Sequence, residues 1–251
     1  MLSKSKIKYI QTLGQKKLRE QEGLFIAEGP KLVKELLDAP GVKIEGIYAL
    51  KEWIINNDKA GDTAAVTEIT EQELGRISQL STPNSVIALV QQFEPDPDIT
   101  AKGQIILALD GIQDPGNLGT IIRTADWFDI KNIVCSADCA DLYNPKVVQS
   151  TMGSIARVNL VYTDLWEWLS GLEDIRIYAT ALEGEDITTM KGIAEGVIIT
   201  GNESKGISSE ILNLANIKIT IPRKGNAESL NAAVATGIVL SYLVAGFLQQ
   251  N

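Results

Sequence analysis

A chain of 251 residues, 45% hydrophobic and 22% charged, has room for one large domain or two small ones, and its composition excludes wholesale disorder and collagen-like or repeat architectures. With two cysteines and no histidine, it has neither a disulfide framework nor the means for Ser-His-Asp, Cys-His or histidine-dependent metal chemistry. The net charge of −9 is unevenly spread, because Lys4, Lys6, Lys8, Lys16, Lys17 and Arg19 precede the first acid, Glu20, and this +6 leaves −15 for the remainder.

A basic end on an acidic body suits a localised polyanion contact, and equally a solvated basic helix. The start has no apolar run of the kind a secretory signal needs, so the expected address is the cytoplasm. Residues 3 to 20 read as one polar helix, followed by a strand at 24 to 27 and a helix from Pro30 to Leu37. Pro30 fits a first helical turn, where its missing N–H costs little. A strand at 43 to 49, a capping-box spacing at Thr70-Glu71-Gln72-Glu73 and a strand at 85 to 93 follow. The acidic, proline-stiffened Glu94-Pro95-Asp96-Pro97-Asp98 cannot pair well in a sheet. It places a linker at 94 to 103 between a first domain, 1 to 93, and a second, 104 to 251.

Beyond the linker, strands at 104 to 110, 132 to 135, 175 to 180, 197 to 200 and 217 to 221 alternate with helices starting near Asn117, Pro145, Asp164, Ser208 and Ser229. That alternation predicts an α/β fold: a C-terminal parallel-sheet domain covered on both faces, preceded by a smaller α/β domain. The stretch from Leu230 to Asn251 carries no charge, but Asn231, Thr236, Gly237 and Ser241 interrupt it and no basic anchor ends it. It reads as a helix buried between the sheet and a second subunit, not as a membrane span.

Ligands of such sheets bind beyond the carboxyl ends of the strands, and three loops there stand out. Leu109-Asp110-Gly111-Ile112-Gln113-Asp114-Pro115-Gly116-Asn117-Leu118-Gly119 runs into a helix carrying Arg123. Alone, this segment reads as a tight turn and N-cap. Thr200-Gly201-Asn202-Glu203-Ser204-Lys205-Gly206 is the second loop, and Ile221-Pro222-Arg223-Lys224-Gly225-Asn226-Ala227-Glu228-Ser229-Leu230-Asn231 is the third. Together they bring Asn117, Arg123, Glu203, Ser229 and Asn231 to the mouths of three strands, a convergence that plain connections seldom show.

In order and spacing, Asp-Pro-x-Asn-x-Gly-x-x-x-Arg, Gly-x-Glu-x-x-Gly, and Ile-Pro followed after a gap by Ser-Leu-Asn resemble the three motifs of the SpoU/TrmH family of RNA ribose methyltransferases, within the SPOUT superfamily. Tyr143-Asn144-Pro145-Lys146-Val147-Val148 and Ser150-Thr151-Met152-Gly153 are also similar, and the likeness covers about residues 104 to 248. The resemblance implies a deep trefoil knot near the C-terminus and a homodimer formed around it. It also implies S-adenosylmethionine as methyl donor, held largely by backbone around Gly201, Ile221 and Leu230, and structured RNA as acceptor, with no metal and no membrane. Residues 1 to 93 more loosely resemble the substrate-binding domain many members carry, through Phe25-Ile26-Ala27-Glu28-Gly29 and the basic start; a spacer or dimerisation domain is the alternative.

The family's central catalytic role falls on Arg123, as general base or as electrostatic clamp. A guanidinium that stays protonated at neutral pH favours the clamp, gripping phosphate and a nascent alkoxide. Asn117 is expected to cap its helix and to orient Arg123 or the substrate. Glu203 is expected to position Arg123 or the region of Asn231, or merely to favour a helix dipole. Ser229 and Asn231 have catalytic roles by resemblance and capping roles by position. Where some members carry arginine beside the valine pair, this chain has Gln149. A separate N-terminal domain favours ribosomal over transfer RNA. The rival readings are a non-catalytic RNA- or cofactor-binding module of the same fold, which the intact motif residues argue against, and a dinucleotide oxidoreductase, which lacks any G-x-G-x-x-G after a strand.

Overall fold

The computed structural model describes residues 1 to 244. Residues 245 to 251, assigned above to the terminal helix, lie outside the described residues. The chain forms two compact units, Met1–Glu94 with Asp141–Arg157, and Pro95–Ala140 with the chain from Val158 onward.

In the first unit the elements are α1 (Lys4–Thr12), α2 (Lys16–Glu22), β1 (Leu24–Glu28), α3 (Pro30–Asp38), β2 (Ile44–Ala49), α4 (Lys51–Ile55), α5 (Ala60–Thr63), β3 (Val66–Glu68), α6 (Glu71–Ile77) and β4 (Val86–Gln91). The sheet order is β1-β4-β2-β3, antiparallel except where β2 meets β3. Ile7 and Ile10 of α1 close over Ile26, Ile87 and Leu89 of the sheet and Leu74 and Ile77 of α6, all buried.

The single helix expected at 3 to 20 is two helices. Leu13 is fully buried, and its carbonyl and that of Gly14 accept from Arg19 Nη1 at 3.0 and 2.8 Å, so the side chain takes over acceptors that a continuous helix would have satisfied. Arg19, itself 3% exposed, also donates to Asp141 Oδ2 at 2.5 Å. The capping box at Thr70 is present in both directions: Glu73 N–H donates to Thr70 Oγ1 at 3.2 Å, and Thr70 N–H donates to Glu73 Oε2 at 3.0 Å.

The chain then runs through β5 (Ile105–Asp110), α7 (Pro115–Trp127) and β6 (Asn132–Ser136) in the second unit, and α8 (Pro145–Thr151) in the first. It continues in the second unit with β7 (Asn159–Thr163), α9 (Leu165–Ser170), β8 (Ile177–Asp186), β9 (Gly196–Gly201), α10 (Ser209–Leu212), β10 (Ile217–Thr220) and α11 (Ala232–Leu243). The sheet is parallel throughout, in the order β10-β8-β9-β5-β6-β7. Ile106 and Ala108 of β5, Val134 of β6 and Val197 and Ile199 of β9 share a core with Leu165 and Leu169 of α9 and Ile211 of α10. Such near-continuous apolar strands are what a sheet covered on both faces requires.

Four differences from the sequence reading have physical causes. Strand β7 was not foreseen; it is an edge strand in which Leu160 alone is buried. β8 continues to Asp186 instead of stopping at Thr180, through a register shift opposite Lys218 and Ile219. Gly184 makes this possible, since a Cβ there would lie 2.5 Å from the Lys218 carbonyl oxygen. α7 starts at Pro115 and is capped by Asp114, whose Oδ1 accepts from Asn117 N–H at 2.8 Å, so Asn117 is not the cap expected of it. α11 starts at Ala232, later than Ser229, because the Asn231 side chain caps it. No described helix is long and apolar enough to cross a membrane.

Candidate active site

The parallel sheet delivers the three loops to one end. β5 stops at Asp110, β9 at Gly201 and β10 at Thr220, and with all strands parallel these are carboxyl ends. The first turn after β5 is pinned to α10, where Ser208 N–H donates to Asp110 Oδ2 at 2.7 Å. Asp114 as cap and Pro115 at the first helical position then launch α7, whose third residue is Asn117. Freed from capping, the Asn117 side chain points its whole amide at the other loops.

That amide links all three. Asn117 Nδ2 donates to Glu203 Oε1, and Asn117 Oδ1 accepts from Asn231 Nδ2 at 2.8 Å. Asn231 Oδ1 accepts from the N–H groups of Ala233 and Val234 at 3.0 and 3.2 Å, which makes Asn231 the N-cap of α11 as well as a member of the chain. The capping and functional readings of Asn231 thus coexist. A neutral amide between a carboxylate and a second amide passes no charge, but it fixes the orientation of both ends.

Glu203 is presented by a closed loop. Asn202 N–H donates to the Gly206 carbonyl at 3.1 Å and Gly206 N–H to the Asn202 carbonyl at 2.8 Å, folding residues 202 to 206 back on themselves. A Cβ on Gly201 would come within 2.4 Å of Gly206 C and Ile207 N, so packing alone demands glycine there.

Arg123 stands apart from the chain. It is exposed on α7, six residues past Asn117, which by helix geometry is about 9 Å further along the axis and roughly a third of a turn from the same face. Among the described residues it forms no ion pair. Neither Asn117 nor Glu203 holds it. Ser229 is exposed, two residues before the α11 cap; Ile221 is half-buried directly after β10, and Leu230 is 44% exposed.

Supporting residues escaped the sequence reading, some inside the quoted segments (Asp110, Asn202) and some outside them (Ser136, Asp138). Gly111 N–H donates to Ser136 Oγ at 2.9 Å, and Ser136 Oγ donates to Asp138 Oδ1 at 2.6 Å. Asn202 Nδ2 donates to the Gly111 carbonyl at 2.8 Å. The signal available for Asp110, Ser136 and Asn202 was a polar residue directly at an apolar strand's end. Below the loop, Ile112 N–H donates to Cys139 Sγ at 3.2 Å. A hydrogen bond from Cys135 outweighs burial and brings the Cys139 thiol down to about 7, while burial pushes Cys135 up; both thiols are free and buried. Among the described residues no group of three or more Cys, Asp or Glu is placed to hold a metal.

The SpoU rRNA Methylase family matches residues 104 to 241, and the MRM3-like substrate binding domain matches residues 4 to 88. The 23S rRNA (guanosine(2553)-2′-O)-methyltransferase RlmP of Bacillus subtilis is 31% identical over 95% of each chain. An AdoMet-bound rRNA methyltransferase from Sinorhizobium meliloti superposes with a TM-score of 0.84 at 32% identity, covering 96% of this chain and 95% of that one. The SpoU methyltransferase AviRb of Streptomyces viridochromogenes, solved with AdoMet, shares the fold with a TM-score of 0.83 at 22% identity over 99% and 98% of the two chains. The residues present fit such a donor: Ile221, half-buried directly after β10, and Leu230, 44% exposed just before the α11 cap, are apolar as the flat faces of an adenosine require, and glycine at 201 admits a close backbone turn. The chain therefore belongs to the SpoU rRNA methylase family and is an S-adenosylmethionine-dependent RNA 2′-O-methyltransferase.

Proposed function

We propose that the acceptor is a ribose of structured ribosomal RNA in preference to transfer RNA, and that Arg123 meets it while Asn117, Glu203 and Asn231 hold the loops around it. The observation that carries this reading is the hydrogen-bonded chain from Glu203 through Asn117 to Asn231, which joins the three motif loops through their side chains. When bound, S-adenosylmethionine supplies a sulfonium-activated methyl group. The protein's own part is then position and electrostatics. Arg123, exposed and unpaired among the described residues, is available to grip a phosphate and to stabilise the 2′-oxygen as it loses its proton. Ser229 we place on the acceptor side, and backbone around Gly201, Ile221 and Leu230 on the donor side.

The remaining assignments follow from the same reading. Residues 1 to 93 present RNA through exposed Lys4, Lys8, Lys16 and Lys17, and residues 94 to 103 form the linker to the methyltransferase domain at 104 to 251. The segment after β10 threads the trefoil knot of the family. Val234 and Tyr242, 52% and 46% exposed on the uncharged helix α11, are the contact for a second copy. The workplace is the cytoplasm, beside the ribosomal RNA that RlmP modifies. The test is tritium transfer from labelled donor to unmodified large-subunit rRNA and to tRNA transcripts, with the methylated positions mapped. Ribosomal RNA should be labelled at one ribose; preferential labelling of tRNA would overturn the assignment.

A further inference from the structure

Asn202 uses its whole side-chain amide. Its Oδ1 accepts from the N–H groups of Ser204 and Lys205 at 2.9 and 3.1 Å, closing its own turn, while its Nδ2 donates to the carbonyl of Gly111 at 2.8 Å. The residue beside it, Glu203, meets Asn117, and Asn117 lies six residues beyond Gly111 in the loop and helix start that follow β5. Two bonds therefore tie the same pair of loops: one made by the proposed site residues, and one beneath them made by Asn202. Gly111 is held from its other side by Ser136 Oγ, itself fixed on Asp138.

We infer that Asn202 is a positioning residue for methyl transfer, locking the loop that carries Glu203 to the loop that leads into Asn117. The inference rests on the roles proposed above for Glu203 and Asn117. The side chain of Asn202 is taken up by Ser204, Lys205 and Gly111. Its effect on rate comes from registration, since a displacement of about 1 Å at a reacting site can cost on the order of 100-fold. An asparagine serving only to close its turn needs no donor, because both turn bonds are accepted by Oδ1. The bond to Gly111 is the surplus that a turn does not explain.

This separates the two roles by one atom. Asn202→Asp keeps both accepted bonds and loses only the donor to Gly111, placing a carboxylate oxygen against that carbonyl. In the full-length protein, Asn202→Asp should lower kcat on the large-subunit rRNA transcript by about 10- to 100-fold, with the donor Kd by calorimetry within about threefold of the parent. Ser136→Ala, which frees Gly111 from the opposite side, should give the same split between kcat and donor affinity. Backbone hydrogen exchange at Gly111 and Ile112 should quicken in Asn202→Asp. A kcat equal to the parent's, unchanged exchange at Gly111 and Ile112, or an equal loss of donor affinity would each overturn the inference. If the parent protein methylates no ribosomal RNA, the functional reading fails instead, and the exchange measurement still decides whether the clamp exists.

Discussion

The two units place their charged and polar groups in opposite ways. The first buries charge: Arg19 and Glu28 are each 3% exposed and Glu73 is 7% exposed, each tied into the core by hydrogen bonds to backbone or neighbouring side chains. The second keeps Asn117, in the first turn of α7, and Glu203, in a loop, half-buried and leaves Arg123 in solvent. Burial beside hydrogen-bond partners, which at Arg19 serve both terminal nitrogens and leave only the buried Nε without one among the described residues, makes a charge a structural element, because removing either partner strands the other. Exposure, with no ion pair among the described residues, leaves the Arg123 charge open to other molecules. In this molecule, then, the buried charges Arg19, Glu28 and Glu73 serve architecture, whereas the candidate site offers amides and an exposed arginine that forms no ion pair among the described residues.

Substitutions on either side of that contrast should give opposite signatures. Arg123→Ala should reduce kcat on ribosomal RNA by on the order of 100- to 1,000-fold while donor affinity and unfolding hold steady, and Arg123→Lys should recover little, since an ammonium lacks the planar fork. Paired kinetics and calorimetry check this; a matching loss of donor affinity would move Arg123 to the donor side. Arg19→Leu should do the reverse, costing about 3 kcal/mol in urea unfolding by stranding Asp141 and two carbonyls, with donor affinity preserved. A cost below about 1 kcal/mol would mean that the pair behaves like a surface ion pair.

The smallest effect is at Glu28. Burial raises its carboxyl above the ordinary carboxylate value, against hydrogen bonds from Ser78 and Gln79 that lower it. The folded chain thus binds this proton more tightly than the unfolded chain. Its contribution is fully present below the ordinary carboxylate pKa and is lost as pH rises through the raised one. Glu28→Gln should therefore be favoured over the parent near neutral pH, by on the order of 1 kcal/mol, with the gap closing as pH falls between those two values. Parallel melting curves from pH 7 to pH 4 measure the gap, and a constant difference would remove the assignment.

Much of the second unit was legible because its signals are local. Apolar strands alternating with helices announce a parallel sheet, and Asp-Pro-Gly-Asn and Gly-Asn-Glu follow strand ends while Ser-Leu-Asn leads into the last described helix. The capping box at Thr70 was equally plain, since its partners are three residues apart. What escaped depends on distant partners. Nothing near Leu13 announces that Arg19 will turn back onto its carbonyl and end the helix. Asp114 and Asn117 are both good caps, and the choice between them follows from Glu203 and Asn231 occupying the Asn117 amide. The donor role of Asn202 toward Gly111 spans ninety-one residues and leaves no mark on the local pattern.

The continuation of β8 past Thr180 has a consequence for how the molecule can vary. At Gly184 the neighbouring strand's backbone occupies the space of a side chain, with the Lys218 carbonyl carbon at 2.6 Å and Ile219 N at 3.0 Å from where a Cβ would sit. Backbone cannot swing aside as the tip of a long side chain can, so even alanine there has to part β8 from β10. Ile221 follows β10 by a single residue, and the strand's displacement passes straight into the third motif loop. Position 184 is thereby closed to drift for steric reasons alone, and it shelters the entrance to that loop from variation arising in a strand that contributes no residue to the site.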